Sequence, residues 1–293
     1  MRRWMVLCLL ACVIGRAWAA DIRVVDDAGQ TVVLAQPAAR IVSLGPHLTE
    51  LVYAAGAGER LVGVIRYSDF PAAAQALPVV GDAHAIDFER IVQLRPDLVL
   101  VWGSGLNERH KARLRSLGLT VYESEIRQAQ GIAETLRRLG ILIGRHEAQA
   151  EARNFDQKWQ ALAERYRDRA PVRVFWQLWL DPAGGPLMTI NRQHLISEAM
   201  RSCGGVNVFA DLPLLTPSVS WEAAVKADPQ LIATSGRAED ASRDFAPWQR
   251  FAAKVGAVRL QHFASIDGDL IGRMGPRFVD GAARLCEAID RVR

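Results

Sequence analysis

The chain has 293 residues, 50% of them hydrophobic and 23% charged, with a formal net charge of +4. That length supports one large domain or two medium ones. Without Arg2, Arg3 and Arg16 the balance is 33 basic side chains (36 minus 3) against 32 acidic, which excludes the basic excess of a nucleic-acid binder.

Residues 1–19 read as a secretory signal peptide. Arg2 and Arg3 form a basic start, Trp4 to Val13 is apolar, and Ala17-Trp18-Ala19 fits the small-x-small cleavage pattern. The apolar run is too short to span a membrane, and no later segment is long and apolar enough to do so. The expected mature chain starts near Ala20 and is exported. Leu9-Leu10-Ala11-Cys12 gives a second reading, a lipoprotein cleavage box. Of the four cysteines, Cys8 and Cys12 leave with the signal. The remaining Cys203 and Cys286 read as a disulfide in an oxidising compartment, with two buried free thiols as the other reading.

Asp21–Leu34 alternates apolar and polar around Asp27-Ala28-Gly29, the pattern of a small hairpin. Arg40–Leu44 reads as a buried strand ending at Gly45-Pro46-His47, and Thr49-Glu50-Leu51 opens a helix. Leu61–Ile65 is the next strand, with Arg66-Tyr67-Ser68-Asp69 at its carboxyl end. Leu98–Trp102 and Thr120–Tyr122 follow, with a helix closing at Leu114–Gly118. Strand alternating with helix is the signature of a mainly parallel sheet. In such sheets the carboxyl ends of the strands line the ligand crevice, which makes Pro46 and His47 candidates by position, while the aromatics Tyr67, Trp102, Trp176 and Trp179, mostly at strand ends, suit either core packing or a flat apolar ligand.

One unit occurs twice. Asp87-Phe88-Glu89 leads through a short apolar stretch to Pro96 and a strand; Ser220-Trp221-Glu222 does the same to Pro229 and Leu231–Thr234. The glutamates lie 133 residues apart (222 minus 89). Asp87 and Ser220 suit N-caps, each with a carboxylate two positions later facing the helix dipole. Pro96 and Pro229 end the helices, because the residue before proline is pushed out of the α region. A repeated helix-to-strand unit implies two similar lobes.

Between the copies, Ala148, Ala152, Phe155, Trp159, Leu162 and Tyr166 recur at spacings of three and four. This stripe predicts one uninterrupted helix over 147–168, about 33 Å long at 1.5 Å per residue. A coiled-coil dimer helix is the alternative use of such a stripe. The expected fold is therefore α/β: two similar lobes, each a mainly parallel sheet with flanking helices, joined by one long rigid helix. The expected boundaries are 20–145 for the first lobe, 146–169 for the linking helix and 170–293 for the second lobe. In the second lobe Val172–Leu178 is a strand, and a turn follows at 181–186. His194–Arg201 is helical, Cys203–Phe209 is its stop and exit, Pro247–Phe251 opens a short helix, Phe263–Ile266 is a strand, and Val279–Asp290 is an amphipathic helix.

No G-x-S-x-G elbow, Walker loop, H-E-x-x-H or G-x-G-x-x-G is present, so no enzyme is expected. None of the six histidines is paired at zinc-ligand spacing with another His or Cys. His47 and His84 are the one combination that could meet in the crevice, and an exported zinc-dependent hydrolase is the reading they would support. Asp269 and Arg273 sit just past the last strand, where they suit either a ligand contact or an ion pair.

Arg40–Glu50, Tyr67–Pro71, Asp87–Trp102, Cys203–Phe209, Val219–Glu222 and Pro276–Cys286 together resemble the periplasmic cobalamin-binding proteins of vitamin B12 importers. These are helical-backbone substrate-binding proteins that serve ABC transporters. The resemblance covers the mature chain apart from the Asp21–Leu34 hairpin. It implies a Cys203–Cys286 disulfide, and a cobalamin-like corrinoid held between the lobes as cargo, with no cofactor. It implies ligand contacts at Tyr67 and along Asp269, Leu270, Ile271, Gly272 and Arg273. It also implies a monomer whose exposed Glu89 and Glu222, one per lobe, dock onto arginines of an inner-membrane permease dimer. Ala83 and Thr216 stand where family tryptophans flank the corrin, and Met188 where a pocket phenylalanine is found. His47 replaces a small residue, and His84 adjoins Ala83. Haem, ferric siderophore or another metal chelate is the alternative cargo. Related haem carriers place a tyrosine where this chain has Asp82, and the basic residues for an anionic siderophore reduce to Arg66 and Arg273.

Overall fold

The computed structural model describes residues 21–181 and 185–293. The expected signal peptide and the centre of the turn after Asp181 lie outside them.

Each lobe is built on a parallel sheet of the same topology. In the first, β1 (Ile41–Leu44), β2 (Leu61–Val64), β3 (Leu98–Trp102) and β4 (Val121–Ser124) are ordered β2-β1-β3-β4. In the second, β5 (Val172–Gln177), β6 (Gly205–Asn207), β7 (Leu231–Ser235) and β8 (Phe263–Ile266) are ordered β6-β5-β7-β8. The central strands β1 and β3 are largely apolar because both faces of the sheet are covered. Leu98 and Leu100 face one cluster, while Val99 and Val101 face another. Val174 and Phe175 divide in the same way in the second lobe.

The inner faces of the two sheets share one apolar cluster, which runs from Val24 in the first lobe to Ile289 in the second. The helix Glu147–Tyr166 lies along it. It buries Ala148, Ala152, Phe155 and Tyr166, with Trp159 and Leu162 packed partly against the cluster. It packs on helix Ala129–Ile143 of the first lobe and on helices Leu195–Ser202 and Phe278–Asp290 of the second. The turn into it is tight: a Cβ on Gly140 would lie 2.7 Å from the Cβ of Ala148, so glycine is required there.

The repeated unit is present at atomic detail. Asp87 accepts from the backbone N–H of Arg90 at 2.9 Å, and Ser220 from that of Ala223 at 3.1 Å. The helices they cap, Phe88–Gln93 and Trp221–Lys226, both stop before the proline. The residues ahead of the prolines leave the right-handed α region, but for the left-handed one: φ is +47° at Arg95 and +40° at Asp228.

Three expectations need correction. Cys203–Phe209 is more than a helix stop, because Gly205–Asn207 continues as edge strand β6. Helix Ala129–Ile143, one of the longest, was not anticipated from the sequence. Pro247 sits in a 3₁₀ turn, Ala246–Phe251, in place of an α-helix. The N-terminal hairpin, Ile22–Val25 with Thr31–Leu34, has a structural task. Asp26 and Asp27 accept from the backbone N–H groups of Glu123 and Glu125 on and beside β4, and Asp27 pairs with Arg138. The hairpin thus covers a free sheet edge.

Candidate ligand-binding crevice

The carboxyl ends of the strands face a crevice between the lobes. On the first-lobe side a buried hydroxyl triad sets the loop after β2. Thr49 donates to Ser43 at 2.9 Å and lies 3.1 Å from the Ser68 hydroxyl. Ser68 is buried, so its neighbours Tyr67 and Asp69 are turned outward. Tyr67 has φ +67° and is 73% exposed. An aromatic residue held in the left-handed region with its ring in solvent is a strained position, of the kind that clusters at binding sites.

On the second-lobe side, the ends of β7 and β8 supply Gly236, Arg237, Asp240, Ser265, Asp267, Gly268 and Asp269. With Tyr67, Asp69, Arg273 and Arg284 they enclose a cavity of about 720 Å³, within the range of small-molecule sites. Its wall carries carboxylates and guanidiniums side by side and has no large excess of either sign. A neighbouring recess of about 600 Å³ begins at Ser235 and is lined by Trp179, Leu180, Trp221, Pro247 and Arg250. Here the surface is more aromatic: Arg250 stacks on Trp221 at 4.5 Å, and the Trp221 indole donates to the Gly185 carbonyl at 3.1 Å.

Arg273 is the central charge of the site. It donates to Asp69 at 2.6 Å, to Asp269 at 2.7 Å and to Glu50 at 3.1 Å. Burial opposes its charge, but hydrogen bonds to Asp69 and Glu50 outweigh that and raise its pKa. The same hydrogen bond holds the Asp69 carboxyl below its usual range against partial burial. Both groups are ionised at neutral pH, and the cavity wall is a fixed array of donors and acceptors.

The sequence-derived candidates divide as follows. Tyr67, Asp269 and Arg273 line the cavity, and exposed Gly272 stands beside Arg273. Trp102 is half-buried at the end of β3 and Pro46 is partly exposed. Ala83 and His84 are exposed in the loop before Asp87. Met188 belongs to a three-stranded antiparallel ribbon, where it pairs with Trp179 and Ser218, two residues from exposed Thr216.

His47, Leu270 and Ile271 do not offer side chains to the crevice; all three are buried. His47 packs edge-on against Trp102 at 5.4 Å, and its Nε2 has no partner. Burial, helped by the nearby Arg273 charge, pushes its imidazole down to about 3. The reason is its place in the first turn of a helix that points into the shared core. Among the described residues, no three His, Cys, Asp or Glu side chains are placed to hold a metal ion. Sequence reading passed over Arg237, Asp240, Asp267 and Arg284. These lie in loops and on a helix flank with no motif, and only the packing of the second lobe brings them to one cavity.

Cys203 and Cys286 form a disulfide with Cα atoms 4.9 Å apart, joining helix Leu195–Ser202 to helix Phe278–Asp290 inside the second lobe. Glu89 and Glu222 are exposed in the first turns of their capped helices.

This fold and crevice define a class, the bilobed binding proteins that hold a small solute between two parallel-sheet lobes. Residues 41–270 match the family described as periplasmic binding protein, and the chain belongs to that family. It is 37% identical over 251 residues to the vitamin B12-binding protein of Vibrio cholerae, covering 85% of this chain and 88% of that one. The crystal structure of the periplasmic vitamin B12 binding protein BtuF of Vibrio cholerae superposes with a TM-score of 0.79 at 36% identity, over 87% of this chain and 98% of that one. The periplasmic heme-binding protein RhuT from Roseiflexus sp. RS-1 shares the fold, with a TM-score of 0.76 at 22% identity over 87% of this chain and 99% of that one.

Proposed function

We propose that this chain is a periplasmic carrier that captures cobalamin, or a closely related corrinoid, between its lobes and delivers it to an ABC transporter permease dimer in the inner membrane. Residues 20–145 and 170–293 are the lobes, residues 146–169 the stiff connector, and residues 1–19 the signal removed on export. The working form is a monomer, and it performs no catalysis.

The observation that carries the reading is the mixed wall of the cavity. Asp69, Asp240, Asp267 and Asp269 alternate with Arg237, Arg273 and Arg284. A corrin rim bears neutral amides, each both donor and acceptor, and such a wall can satisfy both functions at once. A strongly anionic ligand would meet the carboxylates unfavourably. Tyr67 and Trp102 from the first lobe, with Trp179 and Met188 from the second, supply flat or adaptable apolar surface for the macrocycle. The remaining candidates, Pro46, Ala83, His84, Thr216 and Gly272, frame the opening. Glu89 and Glu222 each place a carboxylate on the outer end of a lobe, where two arginines of a symmetric permease could receive them.

The test is a titration of the mature protein with cyanocobalamin, followed by calorimetry and tryptophan quenching, with hemin and a ferric siderophore as comparators. Saturable binding of the corrinoid alone is expected. No saturation below about 10 μM, a binding free energy under roughly 7 kcal/mol, would refute the assignment.

A further inference from the structure

Among the contacts that cross from lobe to lobe in the described residues, which include Arg273 to Asp69, two are built alike. In each lobe the first helix on the inner face carries a glutamate: Glu50 in Pro46–Ala54 and Glu198 in Leu195–Ser202. In each lobe the last inner-face helix follows the fourth strand: Ala129–Ile143 after β4, and Phe278–Asp290 after β8. Each glutamate reaches the start of the other lobe's last helix. Glu50 accepts from the guanidinium of Arg277, the N-cap residue, at 2.9 and 2.7 Å, and from Arg273 at 3.1 Å. Glu198 accepts from the backbone N–H of Ala129, the first helical residue, at 2.7 Å. Neither helix start is capped by its own side chain. In both cases the carboxylate that meets it comes from the opposite lobe.

We infer that Glu50 and Glu198 are a matched pair of latches that fix the angle between the lobes and hence the width of the crevice. Glu50 has the larger share. It is 3% exposed and neutralised by two guanidiniums, one of which, on Arg273, also lines the cavity. Glu50 therefore couples the lobe angle to the position of the residue at the heart of the site. Arg277 stacks over the ring of Phe70 at 3.7 Å, extending the contact to the loop that carries Tyr67 and Asp69. Burial raises the pKa of Glu198, against the pull of the Ala129 N–H and Arg201, as expected for a carboxylate taken from water to make a contact between lobes.

The rival device is the shared apolar core together with helix Glu147–Tyr166, which could hold the angle unaided. Spin labels at Gln93→Cys and Lys226→Cys, exposed positions one on each lobe, would report the separation of the lobes by double electron–electron resonance with the native disulfide kept oxidised. The parent should give one narrow distance distribution. The Glu50→Ala, Glu198→Ala double variant should give a wider one with its mean displaced, while far-UV circular dichroism stays native. Each single variant, retaining one latch, should fall between. Should the alanine pair fail to fold, the similarly sized Glu50→Met, Glu198→Met pair, which offers neither helix start an oxygen acceptor, decides the matter by the same measurement. An unchanged distribution in a folded double variant of either kind overturns the inference and assigns the angle to the core, the long helix and the Arg273–Asp69 pair that both variants retain. The readout uses no ligand, so it stands or falls apart from the corrinoid assignment.

Discussion

Arg40 and Arg173 make the same contact in the two lobes. The Nε of Arg40 donates to the carbonyl of Arg95 at 3.2 Å, and the Nε of Arg173 donates to the carbonyl of Asp228 at 3.2 Å. Both acceptors precede a proline and have positive φ. The arginines are 133 residues apart (173 minus 40), like the paired glutamates (222 minus 89). Each guanidinium clamps the turn that ends the repeated helix onto the lobe's leading strand. Arg40→Met and Arg173→Met should each lower stability by about 1–2 kcal/mol, toward the low end for hydrogen bonds of charged groups because both guanidiniums are solvent-accessible. Urea denaturation midpoints check this, and the two effects should add, because the sites lie in separate lobes.

The disulfide closes a long loop whose ends are 83 positions apart in sequence. By loop-closure entropy it should contribute about 4–5 kcal/mol. The Cys203→Ala, Cys286→Ala variant should show a matching loss in urea, while cyanocobalamin affinity at low temperature changes little, because neither cysteine lines the cavity. A midpoint that does not move would contradict this account.

The buried His47 sets an acid limit. Its pKa falls from 6.5 to about 3 on folding. Between those values the unfolded chain holds the proton and the folded chain does not. Stability from this group is therefore complete above 6.5 and is lost as pH falls toward 3. At about pH 4.5 the loss from this group should be roughly 2–3 kcal/mol. His194, also lowered by burial, to about 4, acts in the same direction. His47→Leu should lose less stability than the parent between neutral and acid pH, measured by urea midpoints at the two values. An equal loss would move the acid sensitivity elsewhere.

The exposed pair Glu89 and Glu222 should matter for delivery and not for capture. Glu89→Ala with Glu222→Ala is expected to leave corrinoid affinity within error and to abolish ATP-driven uptake in reconstituted vesicles. Each carboxylate also faces its helix dipole, so a stability loss of about 0.3–1 kcal/mol per site accompanies the change. Normal uptake by the double variant would remove the docking role.

Local chemistry made much of the architecture legible. Caps at Asp87 and Ser220, the prolines that follow, the apolar runs of β1, β3, β7 and β8, and the stripe of the long helix each depend on near neighbours in the chain. Helix Ala129–Ile143 escaped notice because it is buried over much of its circumference and begins at Gln128, which supplies no capping side chain. Strand β6 escaped because three residues next to a glycine-rich stop carry no period. At the site, Tyr67, Asp269 and Arg273 were legible from their places after strands. His47 was placed in the crevice by the same rule, but its side chain turns into the core, because position in a chain does not say which way a helical residue faces.

By itself, the sequence determined two like lobes, a long helix between them, one pair of cysteines in the second lobe and one exposed acid on each half. These follow from periodicity, capping and composition, which act over a few residues at a time. Only the tertiary structure decided that Glu50 belongs to Arg273 and Arg277, more than two hundred residues away, and that Glu198 caps a helix of the other lobe. It also decided that four aspartates and three arginines share one cavity wall. Such pairings arise where burial forces distant charges to neutralise one another, and no local pattern encodes which partners will meet.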